Sequence, residues 1–228
     1  MNKDCLNVCI GINEAGEKVE CNVRHAGHVL IGGAVGTGKT VLGKEILAQL
    51  LEKNTPADMQ IVLCDPEQAG AYDGVADEKY LWTDVATDTE SAFSALTRLM
   101  HEVYRRIALM GEERSLHKYN EGVKEPLPYI VAVVDAGDAL VSDVVRRNVL
   151  LLQLMPMAAR AGVHVIMTTK ENPGGIARAN IPSRIALHTI GEKESQYILD
   201  EGGAEKLKSG EMLYIYAGNE MPQMVKRT

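Results

Sequence analysis

Between the apolar run His28-Val29-Leu30-Ile31 and a segment of helical pattern stands Gly33-Ala34-Val35-Gly36-Thr37-Gly38-Lys39-Thr40, which satisfies G-x-x-x-x-G-K-[ST]. This spacing suits phosphate binding. Glycines let consecutive backbone N–H groups turn inward around phosphate oxygens, and the N-terminus of the following helix adds partial positive charge. On this reading Lys39 bridges the β and γ phosphates of ATP, and the Thr40 hydroxyl holds Mg²⁺. A glycine-rich turn without a ligand is the alternative, against which the strand before and the helix after both weigh. A metal also needs an acid, and Ile130-Val131-Ala132-Val133-Val134-Asp135 supplies one at the end of an apolar strand. Ligands of open α/β sheets gather at the carboxyl ends of strands, so a bare carboxylate there suits a cation held through water.

The elements that must position these groups are legible in the pattern. Leu6 to Ile10 and Lys18 to Val23 alternate apolar and polar residues around the turn Asn13-Glu14-Ala15-Gly16, which predicts a hairpin within residues 1–27 at the edge of a larger sheet. Over residues 28–228, apolar runs alternate with helical segments: His28–Gly32, Gln60–Cys64, Tyr129–Val134, Val163–Met167, Arg184–His188 and Met212–Tyr216. Such runs predict an α/β fold with a mostly parallel central sheet covered by helices on both faces. Thr87-Asp88-Thr89-Glu90 reads as a capping box opening a helix to about Met110, with Phe93, Leu96, Met100, Val103, Tyr104 and Ile107 on its core face. Glu102, Arg105 and Arg106 read as its solvated faces. With no repeat, low-complexity tract or linker, residues 1–228 form one expected domain.

Composition narrows the function further. The 228 residues carry a formal charge of −7, which argues against coating nucleic acid by bulk charge, although a local basic patch within an oligomer stays open. Aromatic residues are only 4%, too few for a base-stacking platform. The spacing C-x3-C-x11-C-x3-H from Cys5 through Cys9 and Cys21 to His25 invites a zinc reading. The first pair lies in an alternating strand, where side chains four apart are too distant to clasp one tetrahedral ion, so strand is preferred. No H-x-x-x-H pair and no Ser/His/Asp spacing supports metalloenzyme or nucleophilic chemistry. The stretch Asn148 to Ala159, broken by Pro156, is too short to span a bilayer.

With these residues in hand, nearly the whole chain resembles the motor domain of the FtsK/SpoIIIE DNA translocases, RecA-like P-loop NTPases that include the type VII secretion ATPases. Besides the loop, the likeness rests on Asp65-Pro66, Tyr119-Asn120-Glu121, Pro128-Tyr129-Ile130-Val131 leading to Asp135, Ala161-Gly162-Val163-His164, Ala179-Asn180-Ile181-Pro182-Ser183-Arg184-Ile185-Ala186, Ile198-Leu199-Asp200, Gly203-Ala204-Glu205 and Gly210-Glu211-Met212-Leu213-Tyr214. The resemblance implies a homo-oligomeric ring, usually a hexamer, that hydrolyses ATP at subunit boundaries in the cytoplasm. Its cargo would be double-stranded DNA, or protein in the secretion branch. It also implies that the chain is the soluble part of a membrane-anchored protein or a reduced relative.

Three departures qualify that picture. The family's metal-binding Asp is followed by a Glu that polarises the attacking water, whereas this chain has Ala136, and Gly137 and Asp138 also differ, which favours natural divergence over an engineered change. A methyl group cannot accept a proton, so binding of ATP survives while hydrolysis slows or depends on Asp138 or Glu67. The phosphate-sensing Gln of the family is replaced in Thr169-Lys170-Glu171-Asn172-Pro173, where Lys170 either contacts a phosphate or is merely solvated; the shortened segment before Asn180 puts DNA contact in question. The arginine that a neighbour inserts into the ATP site corresponds to Arg160, displaced by one position, with a plain surface arginine as the alternative. Arg178 and Arg184 either touch phosphate or, the preferred reading, are solvated, and Met155 and Met157 read as packing residues. Three functions stay open: a DNA motor, a secretion ATPase domain, and a silent ATP-binding assembly domain.

Overall fold

The computed structural model describes residues 6–67, 70–75, 77–170, 180–217, 219 and 221–227, so Cys5, Arg178 and the segment 171–179 lie outside the described residues. The opening runs pair as the expected edge hairpin, β1 (Asn7–Ile12) with β2 (Lys18–Asn22). Asn13 closes the turn by accepting the N–H groups of Ala15 and Glu17 on its side-chain oxygen. After a short helix α1 (Val23–Ala26) come β3 (Val29–Gly32), α2 (Lys39–Lys53), β4 (Met59–Cys64), α3 (Thr89–Met110), α4 (Leu116–Glu121) and β5 (Tyr129–Val134). Then follow α5 (Asp138–Val141), α6 (Val144–Asn148), a π-helical turn (Val149–Leu154), α7 (Met155–Ala158), β6 (Val163–Thr169), β7 (Ser183–Ala186), α8 (Glu192–Leu199), β8 (Glu211–Ile215) and β9 (Gln223–Lys226).

These strands form one sheet in the order β2-β1-β9-β8-β7-β3-β6-β5-β4. The centre, β7-β3-β6-β5-β4, is parallel, as continuous apolar runs require. The other side is an antiparallel wing: the run at Met212, grouped with the parallel strands on pattern, is β8, antiparallel to β7 and β9. Strand β9 buries only Val225 fully, so its sequence carries no usable alternation. Along β5 the side chains divide by period two. Ile130, Ala132 and Val134 join the core beneath α3 and α7, while Tyr129, Val131 and Val133 join the core beneath α2 and the hairpin. Among the described residues no helix is long and apolar enough to cross a membrane.

Helix α3 corrects the sequence reading in two places. Its N-cap is Asp88 rather than Thr87, and the reciprocal partner is Ser91 rather than Glu90. Independently of the cap, the fully buried stripe is Ala92, Ala95, Leu96, Leu99, Val103, Arg106 and Met110, and Tyr104 is 42% exposed. Arg106, read as solvated, is buried: its guanidinium donates to Glu102 at 2.8 Å and to the carbonyls of Pro128 (2.8 Å) and Ala161 (3.2 Å). It thereby ties α3 to the chain entering β5 and β6, and the pairing with Glu102 together with the two carbonyl acceptors is what makes burial of the charge tolerable. Met155 is buried and Met157 packs partly buried against the same core, as expected.

Two buried histidines lie between β3 and β6. His28 accepts from the Val165 N–H at 3.0 Å and contacts the Met155 carbonyl at 2.9 Å, so the second nitrogen carries the proton and the ring is neutral. His164 donates to the Gly27 carbonyl at 2.8 Å, and its other nitrogen has no hydrogen-bond partner among the described residues. Burial pushes their pKa values down from 6.5 to about 4 and about 3. The unfolded chain therefore binds more protons than the folded one below pH 6.5, and stability present above that pH is lost as pH falls toward 4. The loss amounts to about 1.4 kcal/mol per histidine per pH unit once the unfolded rings are charged. Urea unfolding at pH 7, 6 and 5 should show the falling midpoint, with a shallower slope in His164→Phe; a midpoint that does not move would contradict it.

Candidate nucleotide-binding site

Strand β3 is buried throughout and delivers the chain to the glycine loop at the carboxyl edge of the parallel strands. Gly36 and Gly38 take φ values of +79° and +94°, a region that side-chain-bearing residues rarely enter, and this lets the loop curl before α2 begins at Lys39. The chain just past β7 and the loop itself pin it: Ala34 N–H donates to the His188 carbonyl at 2.8 Å, and Thr37 Oγ1 donates to the Ala34 carbonyl at 2.8 Å. The first-turn N–H groups of α2 have no carbonyl of their own helix to bind and face the mouth of the cleft. Lys39 Nζ folds back to donate to the carbonyls of Gly33 (2.9 Å) and Ala34 (2.8 Å). Its burial lowers the ammonium pKa, while Asp138 and then Asp135 pull it back up.

Thr40 Oγ1 donates to Asp135 Oδ2 at 2.7 Å, which joins the start of α2 to the end of β5. Sheet register explains the second support. Val134 pairs with Met167, so Asp135 stands beside Thr168, whose hydroxyl donates to Asp135 Oδ1 and accepts the Ala136 N–H at 2.9 Å. Sequence reasoning missed Thr168; only the β5–β6 register points to it. A hydroxyl and a buried carboxylate in contact form an oxygen donor set that fits a hard divalent cation. Thr40 would hold it, and Asp135 would reach it through water.

Ala136 lines the same cleft of about 350 Å³ as Lys39, Thr40, Asp135, Asp138, Glu67 and Lys170, with φ of +47°. Both named substitute acids are thus near. Asp138 is buried, and its carboxylate accepts from the Thr169 hydroxyl and, at 2.9 Å, from the Lys170 N–H. Glu67 accepts from Lys170 Nζ at 3.1 Å. The opposite flank of the loop opens into a second cleft lined by Thr37, Leu187, His188, Lys208 and Arg227, the last brought there by the unforeseen β9. Arg160 is not among the residues lining either cleft. Its guanidinium donates to the carbonyls of Gly111 (2.9 Å) and Glu113 (2.8 Å), fixing the turn after α3. Arg184 is not simply solvated either: it pairs with Asp200 at 2.6 Å and donates to the Ile198 carbonyl.

The FtsK/SpoIIIE family model matches residues 2–206. Among curated relatives, the DNA translocase SpoIIIE of Bacillus subtilis is 34% identical over 245 aligned positions, covering 97% of this chain and 30% of the relative. The DNA translocase FtsK of Treponema pallidum is 31% identical, covering 99% of this chain and 30% of its own length. The chain therefore spans about 30% of the curated relatives it matches. Among solved structures, the cytoplasmic domain of the Thermomonospora curvata type VII secretion ATPase EccC superposes with a TM-score of 0.83 at 19% identity, over 100% of this chain and 29% of that one. The pCW3 conjugation coupling protein TcpA, solved with ATPγS, gives 0.82 at 21% identity, over 99% and 66%. These likenesses show the α/β RecA-like ATPase fold.

Proposed function

The chain belongs to the FtsK/SpoIIIE family, and from that premise we propose that it is the ATP-binding motor domain of a double-stranded DNA translocase whose hydrolysis is slow. The observation that carries the reading is the 2.7 Å contact between Thr40 and Asp135 beside Lys39, which gathers phosphate-binding and metal-binding groups in one cleft. Loop amides and Lys39 hold the β and γ phosphates, and Thr40 with Asp135 holds Mg²⁺, which would neutralise charge developing on the transferred phosphoryl oxygens. The nucleoside end fits the cleft beside His188 and Arg227. Ala136 offers the attacking water no acceptor, which accounts for slow turnover. Residues 1–228 act as one unit within a ring, a hexamer on the family pattern; Arg160 would serve a neighbour's site only by releasing the carbonyls of Gly111 and Glu113.

DNA is preferred as cargo because identity to the DNA translocase SpoIIIE is 34% across 97% of the chain. The secretion reading draws on the superposition with EccC, yet at 19% identity that likeness speaks to fold. Fluorescence anisotropy of a labelled duplex, with ATPγS and Mg²⁺, tests the choice. Binding should require nucleotide and weaken steeply as salt rises. No duplex binding in any nucleotide state at low salt would turn the reading to protein cargo.

A further inference from the structure

Arg227 follows β9 directly and lines the second cleft with Thr37, His188 and Lys208. Its backbone is held. The Arg227 N–H donates to the Gly210 carbonyl at 2.8 Å, and the preceding Lys226 pairs with Glu211 of β8 on one side and Ile12 of β1 on the other. Its side chain reaches back over the start of α2. A β-carbon at Gly38, the N-cap of that helix, would stand only 3.1 Å from Arg227 Nη1, while Nη2 donates to Glu45 Oε1 about two turns further along. The guanidinium therefore lies against the first turns of α2, with the half-exposed Glu45 as its anion. The acid lining the same flank, Glu211, is engaged elsewhere: it accepts the Lys208 N–H at 3.0 Å and faces Lys226 at 3.8 Å.

The loop reading leaves the innermost phosphate without a cation. Backbone N–H groups of such a loop cradle the phosphates nearer the nucleoside, whereas the lysine and the metal attend the outer two. Arg227 stands between that cradle and the cleft assigned to the nucleoside end. We propose that Arg227 is a nucleotide-binding residue whose guanidinium leaves Glu45 for the phosphate next to the ribose. Resting on the nucleotide-binding reading above, this adds a cation that acts alike on diphosphates and triphosphates. An ion pair with a half-exposed carboxylate contributes little, and Glu45 returns to water at small cost. A phosphate fixed by loop amides offers the planar guanidinium a bidentate partner of greater charge. Glu45 in this view competes with the ligand, and its neutralisation should tighten binding.

Calorimetric titration with Mg-ATPγS, Mg-ADP and Mg-tripolyphosphate, the last of which carries phosphates without a nucleoside, separates the possibilities. Arg227→Gln, which keeps most of the stem, should weaken all three about tenfold, as loss of one charge-assisted contact implies. Arg227→Lys should recover part of that loss. Glu45→Gln breaks the same ion pair, yet should tighten all three by about twofold to threefold. A plain strut between β9 and α2 demands the opposite, since both variants would then weaken binding together; that result, or no change in either variant, would overturn the proposal. Weaker nucleotide binding in Arg227→Gln with tripolyphosphate unchanged would also overturn it, and would place the guanidinium on the base instead. If Arg227→Gln fails to fold, the sign of the Glu45→Gln effect decides. Each of these outcomes leaves the nucleotide site standing. Failure of the unaltered chain to bind any of the three would overturn the nucleotide reading itself, and this proposal with it.

Discussion

Lys39→Ala should weaken ATP binding at least about a hundredfold while leaving the fold intact. Among the described residues the ammonium donates to two carbonyls of its own loop, those of Gly33 and Ala34, so it is positioned at the loop's centre without supporting the core. Loss of charge-assisted contacts to two phosphates removes about 3 kcal/mol or more, and each 1.4 kcal/mol is a decade in affinity. Removing the ammonium takes a nearby positive charge from the buried Asp138 and Asp135, but both carboxylates keep their hydrogen-bond donors, Thr40 and Thr168 on Asp135, Thr169 and the Lys170 N–H on Asp138. Circular dichroism and the thermal midpoint should therefore match the parent, and calorimetry should show the loss. Undiminished ATP binding in the variant would mean that the glycine loop is not the phosphate site.

Ala136→Glu should raise single-turnover ATP hydrolysis about a hundredfold or more. A positioned base or water-orienting carboxylate contributes roughly two to four decades, and this position lines the cleft beside Asp135. The backbone is already prepared to accept the change. At φ of +47° any residue other than glycine meets the left-handed penalty, which Ala136 already bears through its own Cβ, so a longer side chain adds little further backbone strain. The two carboxylates that could otherwise stand in are occupied, Asp138 by Thr169 and Lys170 and Glu67 by the Lys170 ammonium. Equal turnover in parent and variant, with nucleotide bound in both, would show that water activation is not what limits this chain.

Much of this site was legible in the sequence because its parts are local. The glycine loop needs its eight residues in order, and Asp135 announces itself as a charge ending six buried residues in β5. What stayed hidden depends on register and rotation. Thr168 acquires its role only through pairing across β5 and β6, thirty-three residues from Asp135. Arg106 looked solvated because a charged residue between apolar ones on a helix usually is; carbonyls of Pro128 and Ala161, distant in sequence, reverse that. Tyr104 fits the three- and four-residue spacing of the core face yet lies at its margin, 42% exposed, because which part of an apolar stripe meets the sheet is set by tertiary packing. Strand β9, with one fully buried residue among its four, offers no periodicity to read, and Arg227 was invisible with it.

The proposed function is that of a motor domain that binds ATP, turns it over slowly, and does so in response to duplex DNA. Steady-state ATP hydrolysis with and without double-stranded DNA, run beside Lys39→Ala, addresses that claim most directly. The account predicts slow turnover above the Lys39→Ala background that rises several-fold when duplex is added. Turnover at the level of Lys39→Ala with and without duplex, under conditions where nucleotide is bound, would contradict it.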